Sequence, residues 1–206
     1  MRYFYGFVFS WLTVAITPCL HAQSQVYDNF EGSSSVHYIS KTGSIDTTAK
    51  NPSVNGIDSS LHCARYTRNG EKKFDNIKMS FNGKLTGVDK YATYEGQPPR
   101  IRMKIYTTAP IGTLVEILLG NRKGNNDYPA GTNSQYQAHT TKSGEWEEIE
   151  FIFSQVPKGS ETPFTSVDQL TLLFDPNSST VNTYYFDDIT GPVVNYDHPQ
   201  TVDAPH

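Results

Sequence analysis

Apolar and polar residues alternate along most of this chain. Ile101, Met103 and Ile105 take turns with Arg100, Arg102 and Lys104, and Ile149, Phe151 and Phe153 with Glu148, Glu150 and Ile152. A period of two with one apolar face describes strands that are covered on one side and wet on the other. The same reading places strands at Val26–Glu31, Val36–Thr42, Leu61–Arg68, Ile77–Phe81, Arg100–Thr107, Leu114–Asn121, Ser134–Thr141, Trp146–Ser154, Gln169–Phe174 and Thr183–Ile189. Asn55-Gly56, Asn69-Gly70 and Asn82-Gly83 fall between them, dipeptides that accept positive φ and close turns. No helical period is sustained, and no interval is long enough for a crossover helix. The pattern predicts an all-β fold of two antiparallel sheets packed as a jelly-roll β-sandwich.

Composition narrows the classes further. A chain of 206 residues suits one domain. Aromatics at 13% argue against disorder. A net charge of -4 argues against a nucleic-acid binder, which needs a positive surface. Residues 1–22 read as a secretory signal peptide: Arg2 leads, an apolar run from Tyr3 to Ile16 follows, and Ala22 precedes a polar segment. Ser10, Thr13, Thr17 and Pro18 interrupt that run too often for a membrane anchor. Pro18 also disfavours lipidation at Cys19. Without the leader the net charge is -5, and Cys63 is the one remaining cysteine, so no intramolecular disulfide is expected. The domain is expected over 23–192. A loose tail follows at 193–206, where Pro199 and Pro205 stand among few apolar anchors. The expected location is secreted, periplasmic or at the cell surface, as a monomer with no membrane span after cleavage.

Four short segments carry a resemblance: Tyr-Asp-Asn-Phe-Glu-Gly at 27–32, Cys-Ala-Arg-Tyr at 63–66, Gly-Glu-Trp-Glu-Glu-Ile-Glu-Phe at 144–151 and Tyr-Tyr-Phe-Asp-Asp-Ile at 184–189. Together they resemble the galactose-binding-like, jelly-roll carbohydrate-binding modules found in secreted polysaccharide-degrading systems of Bacteroidetes. The resemblance implies non-catalytic binding of a polysaccharide, in company with a glycoside hydrolase. It also implies a structural calcium where the first and last strands meet. Glu31 and Asp187 are the expected ligands, since Asp188 shares the opposite face with Phe186. The plainer alternative makes these carboxylates solvated edge charges.

Sugar recognition joins an aromatic face to planar amide or guanidinium groups that bond hydroxyls. The stretch Gly120–His139 has that mixture, with Arg122, Asn125, Asn126, Tyr128, Gln135, Tyr136, Gln137 and His139 as candidates. Alternation sets Gln135, Gln137 and His139 on one face, the expected groove set, and Tyr136 with Ala138 on the other. A solvated loop beside a polar strand face is the alternative. Trp146 is expected in the core, and Cys63 half-buried. His37, His62 and His139 lack the spacing of a zinc site. Arg100, Arg102 and Lys104 form a basic stripe, a candidate to hold an acidic or sulfated glycan but expected to be solvated or paired with Glu116. A second class of function, a small secreted glycoside hydrolase, rests on Glu145 to Glu150, where one strand face offers two carboxylates. The single tryptophan outside the leader argues against a sugar-cleaving cleft. A third class is a secreted adhesin or scaffold with no glycan ligand.

Overall fold

The computed structural model describes residues 24–93, 100–123 and 128–197. Every strand pairing in it is antiparallel. In chain order the strands are β1 (Ser24–Val26), β2 (Val36–Lys41), β3 (Ser44–Lys50), β4 (His62–Thr67), β5 (Ile77–Phe81), β6 (Gly83–Leu85), β7 (Ile101–Thr107), β8 (Leu114–Gly120), β9 (Thr132–His139), β10 (Trp146–Gln155), β11 (Gln169–Phe174), β12 (Thr183–Pro192) and β13 (Val194–Tyr196). One layer has the order β2-β5-β11-β8-β9 and the other β10-β7-β12-β4-β3, with β1 added to β12. β10 joins the layers. Its Trp146–Phe151 half pairs with β7, and Ile152 to Gln155 pair with β9.

Alternation explains why these segments fold against one another. Ile101, Met103 and Ile105 of β7 are buried, as are Val115, Ile117 and Leu119 of β8 and Leu170, Leu172 and Phe174 of β11. They fill the space between the layers with Tyr184 and Phe186 of β12. The Phe174 and Tyr184 rings stack with centroids 4.4 Å apart and planes 9° apart. Each such large side chain contributes about 1.5–3 kcal/mol by leaving water. β11 departs from simple alternation, since all six of its residues are buried. Its outward residues Gln169, Thr171 and Leu173 are shielded by the side chains around them.

Several expectations change. Ser44–Lys50, to which no element was assigned, is the edge strand β3; it carries Ser and Thr, and only Ala49 is buried. A strand with no apolar stripe leaves no periodic signal. The first strand ends at Val26, and the chain then turns through Phe30 at φ 50°. A four-residue helix, α1 (Val88–Tyr91), follows Gly87 at φ 64° and anchors Val88 and Tyr91 in the core, where no helix was expected. The tail expected from 193 begins with ordered chain: β13 pairs with β6, and Val194 is 4% exposed. Residues 1–22 and the rest of the tail lie outside the described residues. Trp146 is buried, as expected, but on the outward face of its layer against Tyr106 and outside the cluster between the layers, and its Nε1 donates to Asn51 Oδ1 at 2.9 Å. Cys63 is fully rather than half buried.

The basic stripe is spent on local partners. Arg102 Nε donates to Glu150 Oε1 at 2.7 Å, and Lys104 Nζ lies 2.6 Å from Asp188 Oδ2. Arg100 is buried instead of solvated, and its Nη1 donates to Thr93 Oγ1 at 2.6 Å. None pairs with Glu116, because β8 belongs to the other layer.

Candidate functional site

The outward face of the β5-β11-β8-β9 layer forms a groove of about 620 Å³. Strand register builds its floor. Lys78, Thr171, Leu118 and Gln135 stand side by side on four strands, and Leu173, Glu116 and Gln137 form the next row. Gln169 continues the floor at one end and Leu114 at the other. Three leucines on an outward strand face supply apolar surface, and Glu116 is a carboxylate set among them.

Glu116 organises the polar part. Gln135 Nε2 donates to its Oε2 at 2.7 Å and Gln137 Nε2 to the same oxygen at 2.9 Å. Gln155 Nε2 in turn donates to Gln135 Oε1 at 2.9 Å. Amide planes tied down in this way present their remaining donors and acceptors at fixed angles, which lowers the ordering cost of binding. Bonds from ligand hydroxyls to an ionised carboxylate are also stronger than neutral ones.

Two exposed aromatics stand at the rim. Tyr128 is 58% exposed at the end near Asn121 and Thr132, and Phe74 is 62% exposed beside Asn76 and Asn177. The Tyr128 loop reaches the groove because β8 and β9 close tightly at Gly120, where a Cβ would collide with Gly131 O. The opposite wall, from the 73–77 and 175–180 segments, is pinned from below by Arg68. Its Nη1 donates to Ser178 Oγ at 2.6 Å and to Thr180 O at 2.9 Å.

Of the sequence-derived candidates, Tyr128 and Gln135 line this groove, and Gln137 joins it through its bond to Glu116. His139 is exposed at the end of β9, opposite Leu114. Arg122 stands aside, its Nε 3.5 Å from Asp168 Oδ2. Asn125 and Asn126 lie outside the described residues. Tyr136 is corrected: it is fully buried and packs edge-on against Phe153 at 5.8 Å, so it has no face to offer a ligand. Its position on the inward side of β9 decides this. Glu116, Lys78, Thr171, Leu114, Leu118, Leu173 and Phe74 were missed as site residues. A signal was present in the run Leu114-Val-Glu-Ile-Leu-Leu, where leucines occupy both strand faces around one carboxylate.

The expected calcium ligands converge on one segment. Ser60 Oγ donates to Asp187 Oδ2 at 2.6 Å and also bonds Asp58 Oδ1. Leu61 N and His62 N donate to Glu31 Oε1 at 2.6 and 2.8 Å. Burial pushes the Asp187 carboxyl up to about 7, helped by the neighbouring Asp188 and Asp58 and opposed by its bonds from Ser60 and Asp188 N–H. Lys104 Nζ approaches Asp58 Oδ1 at 3.7 Å and Asp188 more closely, so the cluster already holds one positive charge. All-oxygen donors suit calcium. Yet among the described residues no group of three or more His, Cys, Asp or Glu side chains is placed to hold a metal ion.

The carboxylates of Glu145 to Glu150 lie away from the groove. Glu147 is 6% exposed and accepts the N–H groups of Thr141 and Lys142. Glu150 pairs with Arg102.

Two layers of antiparallel strands with a groove across one outer face make a β-sandwich. No family model matches the sequence, and no curated protein does. Solved structures do match. A family 11 carbohydrate-binding module of the cellulosomal cellulase Lic26A-Cel5E of Clostridium thermocellum aligns with TM-score 0.51 at 12% identity, over 87% of this chain and 99% of that one. The Clostridium thermocellum family 11 module in complex with a β-1,3-1,4-mixed-linked tetrasaccharide gives 0.50 at 12%, over 85% and 98%. An exo-β-agarase gives 0.51 at 10%, over 84% of this chain and only 25% of its own length. At these identities the likeness is one of fold. Among the described residues no helix is long and apolar enough to cross a membrane.

Proposed function

We propose that the domain binds a polysaccharide or oligosaccharide without cleaving it, in the groove over β5, β11, β8 and β9. The observation that carries this is the Gln135–Glu116–Gln137 array, fixed on an apolar floor between the exposed rings of Tyr128 and Phe74. Leucine and aromatic surfaces accept the C–H faces of pyranose rings, while the array bonds their hydroxyls. The groove spans four strands, roughly 14 Å at the usual strand spacing, so it takes a segment of chain rather than one sugar. Affinity is modest, because each bond to sugar replaces one to water. The benefit is proximity: an associated glycoside hydrolase, or the cell, is held at its substrate. Export through the 1–22 leader and a monomeric state belong to the same proposal.

A structural calcium at Asp187 and Glu31 is a further part of it. The 58–62 segment, which bonds both carboxylates, supports this, as does the crowding of Asp58 and Asp187 around Ser60.

Affinity electrophoresis in gels containing mixed-linkage β-1,3-1,4-glucan, xylan, mannan or agarose tests the binding. Retardation by at least one polymer, lost in Glu116→Ala and unaccompanied by release of reducing sugar, is the expected result. Mobility unchanged in every gel refutes it. Reducing-sugar release abolished by Glu145→Gln or Glu150→Gln would establish the hydrolase instead.

A further inference from the structure

The outward face of the other layer carries a second groove, of about 440 Å³. One cross-strand row runs through its centre. Register sets Trp146, Tyr106, Tyr185, Arg65 and Asp46 next to one another on β10, β7, β12, β4 and β3. Trp146 is buried and backs the row, whereas Tyr106 and Tyr185 are half-buried. Their ring centroids are 5.9 Å apart and their planes 85° apart, so the two rings form a corner and not a flat plate. Beside that corner, Arg65 Nη2 lies 3.3 Å from Asp46 Oδ2, with both side chains two-fifths or more exposed. The neighbouring row is all hydroxyl: Ser44, Thr67 and Thr183.

The fold gains little from the ion pair, since an exposed pair contributes about 0–1 kcal/mol, and Tyr106 and Tyr185 keep part of their rings open to solvent. The same outer face elsewhere carries Arg102, Lys104, Glu148 and Glu150, so the tyrosine corner differs from its surroundings. Chemically the row offers a ring face, a guanidinium donor, a carboxylate acceptor and hydroxyls within neighbouring strands. That set matches two adjacent hydroxyls on one sugar: one donates to Asp46, its neighbour accepts from Arg65, and the C–H face rests on a tyrosine. With one charge of each sign, the row favours an uncharged ligand.

We propose that this row is a second saccharide site, selective for a neutral pyranose with a vicinal diol. The inference rests on the reading of the domain as a glycan binder but not on the first groove. The two grooves lie on opposite faces of the sandwich, so one straight glycan chain does not fill both. A protein with both sites bridges two chains or two regions of one.

The test is an array of immobilised neutral gluco-, xylo-, manno- and galacto-oligosaccharides beside uronate and sulfated ones. It is read with the full chain, with Glu116→Ala/Tyr128→Ala, and with that variant carrying Asp46→Ala/Arg65→Ala in addition. Asp46 and Arg65 are surface side chains, and because Asp46 Oδ1 also accepts from Thr48 N and Oγ1 at 3.0 and 3.1 Å, a thermal melt of the variant checks that it folds. The variant lacking the first groove is expected to keep binding to a neutral saccharide, and loss of Asp46 and Arg65 to lower it by about tenfold or more. Three results overturn the site while leaving the first groove standing: no binding once Glu116 and Tyr128 are gone, binding indifferent to Asp46 and Arg65, or binding confined to acidic glycans. A full chain blank on every spot removes both sites.

Discussion

Arg68 and Asp75 are both fully buried, with Arg68 Nε 3.9 Å from Asp75 Oδ2, beneath the two segments that wall the first groove. Asp75 also accepts Tyr66 Oη at 2.9 Å and Asn69 N at 3.1 Å, while the Arg68 guanidinium serves the 178–180 segment. The pair thus ties the Phe74 side of the wall to the Asn177 side. Removing one partner leaves the other charge buried and uncompensated, which typically costs about 3–5 kcal/mol. Arg68→Ala is expected to lower the denaturant midpoint accordingly and to weaken glycan binding in the folded fraction. An unfolding free energy within about 1 kcal/mol of wild type would show the pair to be dispensable.

At the groove floor the expected outcome concerns affinity. Glu116→Ala removes the acceptor for Gln135 and Gln137 together, as well as a charged partner for sugar hydroxyls. A hydrogen bond to a charged group is worth about 1.5–3 kcal/mol, so affinity should fall roughly tenfold to a hundredfold. Glu116→Gln keeps the shape and loses the charge, so it should fall between the two. Calorimetry with mixed-linkage glucotetraose or the best ligand from the gels measures the series. Equal affinities in all three proteins would take Glu116 out of the site.

The fold was more legible than the site. β5 and β11 read true to the residue because Ile77-Lys-Met and Leu170-Thr-Leu carry apolar and polar positions in strict turn. β3 and β13 were not legible, since pairing at an edge needs backbone groups rather than an apolar stripe. Gln135 and Gln137 could be found because they share a face along one strand. Glu116 and Lys78 become their neighbours only through register between strands distant in sequence, which local periodicity does not encode. The row of Tyr106, Tyr185, Arg65 and Asp46 was invisible for the same reason.

Cys63 offers a probe of local opening. Burial pushes its thiol up to about 12, aided by the charges of Asp187, Asp58 and Asp46. The thiolate is the reactive form, so Cys63 of the folded 23–206 domain should be nearly inert to iodoacetamide at pH 8. In denaturant, labelling should proceed at the rate of a free thiol. Stoichiometric labelling of the native protein within minutes would contradict the burial of β4.

Asp187 links stability to pH. Its folded carboxyl titrates near 7, above the ordinary carboxylate value of 3.8, chiefly because it is buried. Below about 4 both states are protonated and pH has no effect through this group. Between about 4 and 7 the folded state holds a proton that the unfolded state has released, so the unfolded state binds fewer and stability falls as pH rises. Above 7 the full penalty is present. Asp187→Asn should therefore flatten this fall and melt higher than wild type at pH 8. If calcium binds at Asp187, it favours the ionised form and restores stability at high pH in wild type but not in the variant. Thermal melts from pH 4 to 8, with calcium and with chelator, separate these effects. Identical curves for the two proteins throughout would show that Asp187 neither titrates in this range nor holds a cation.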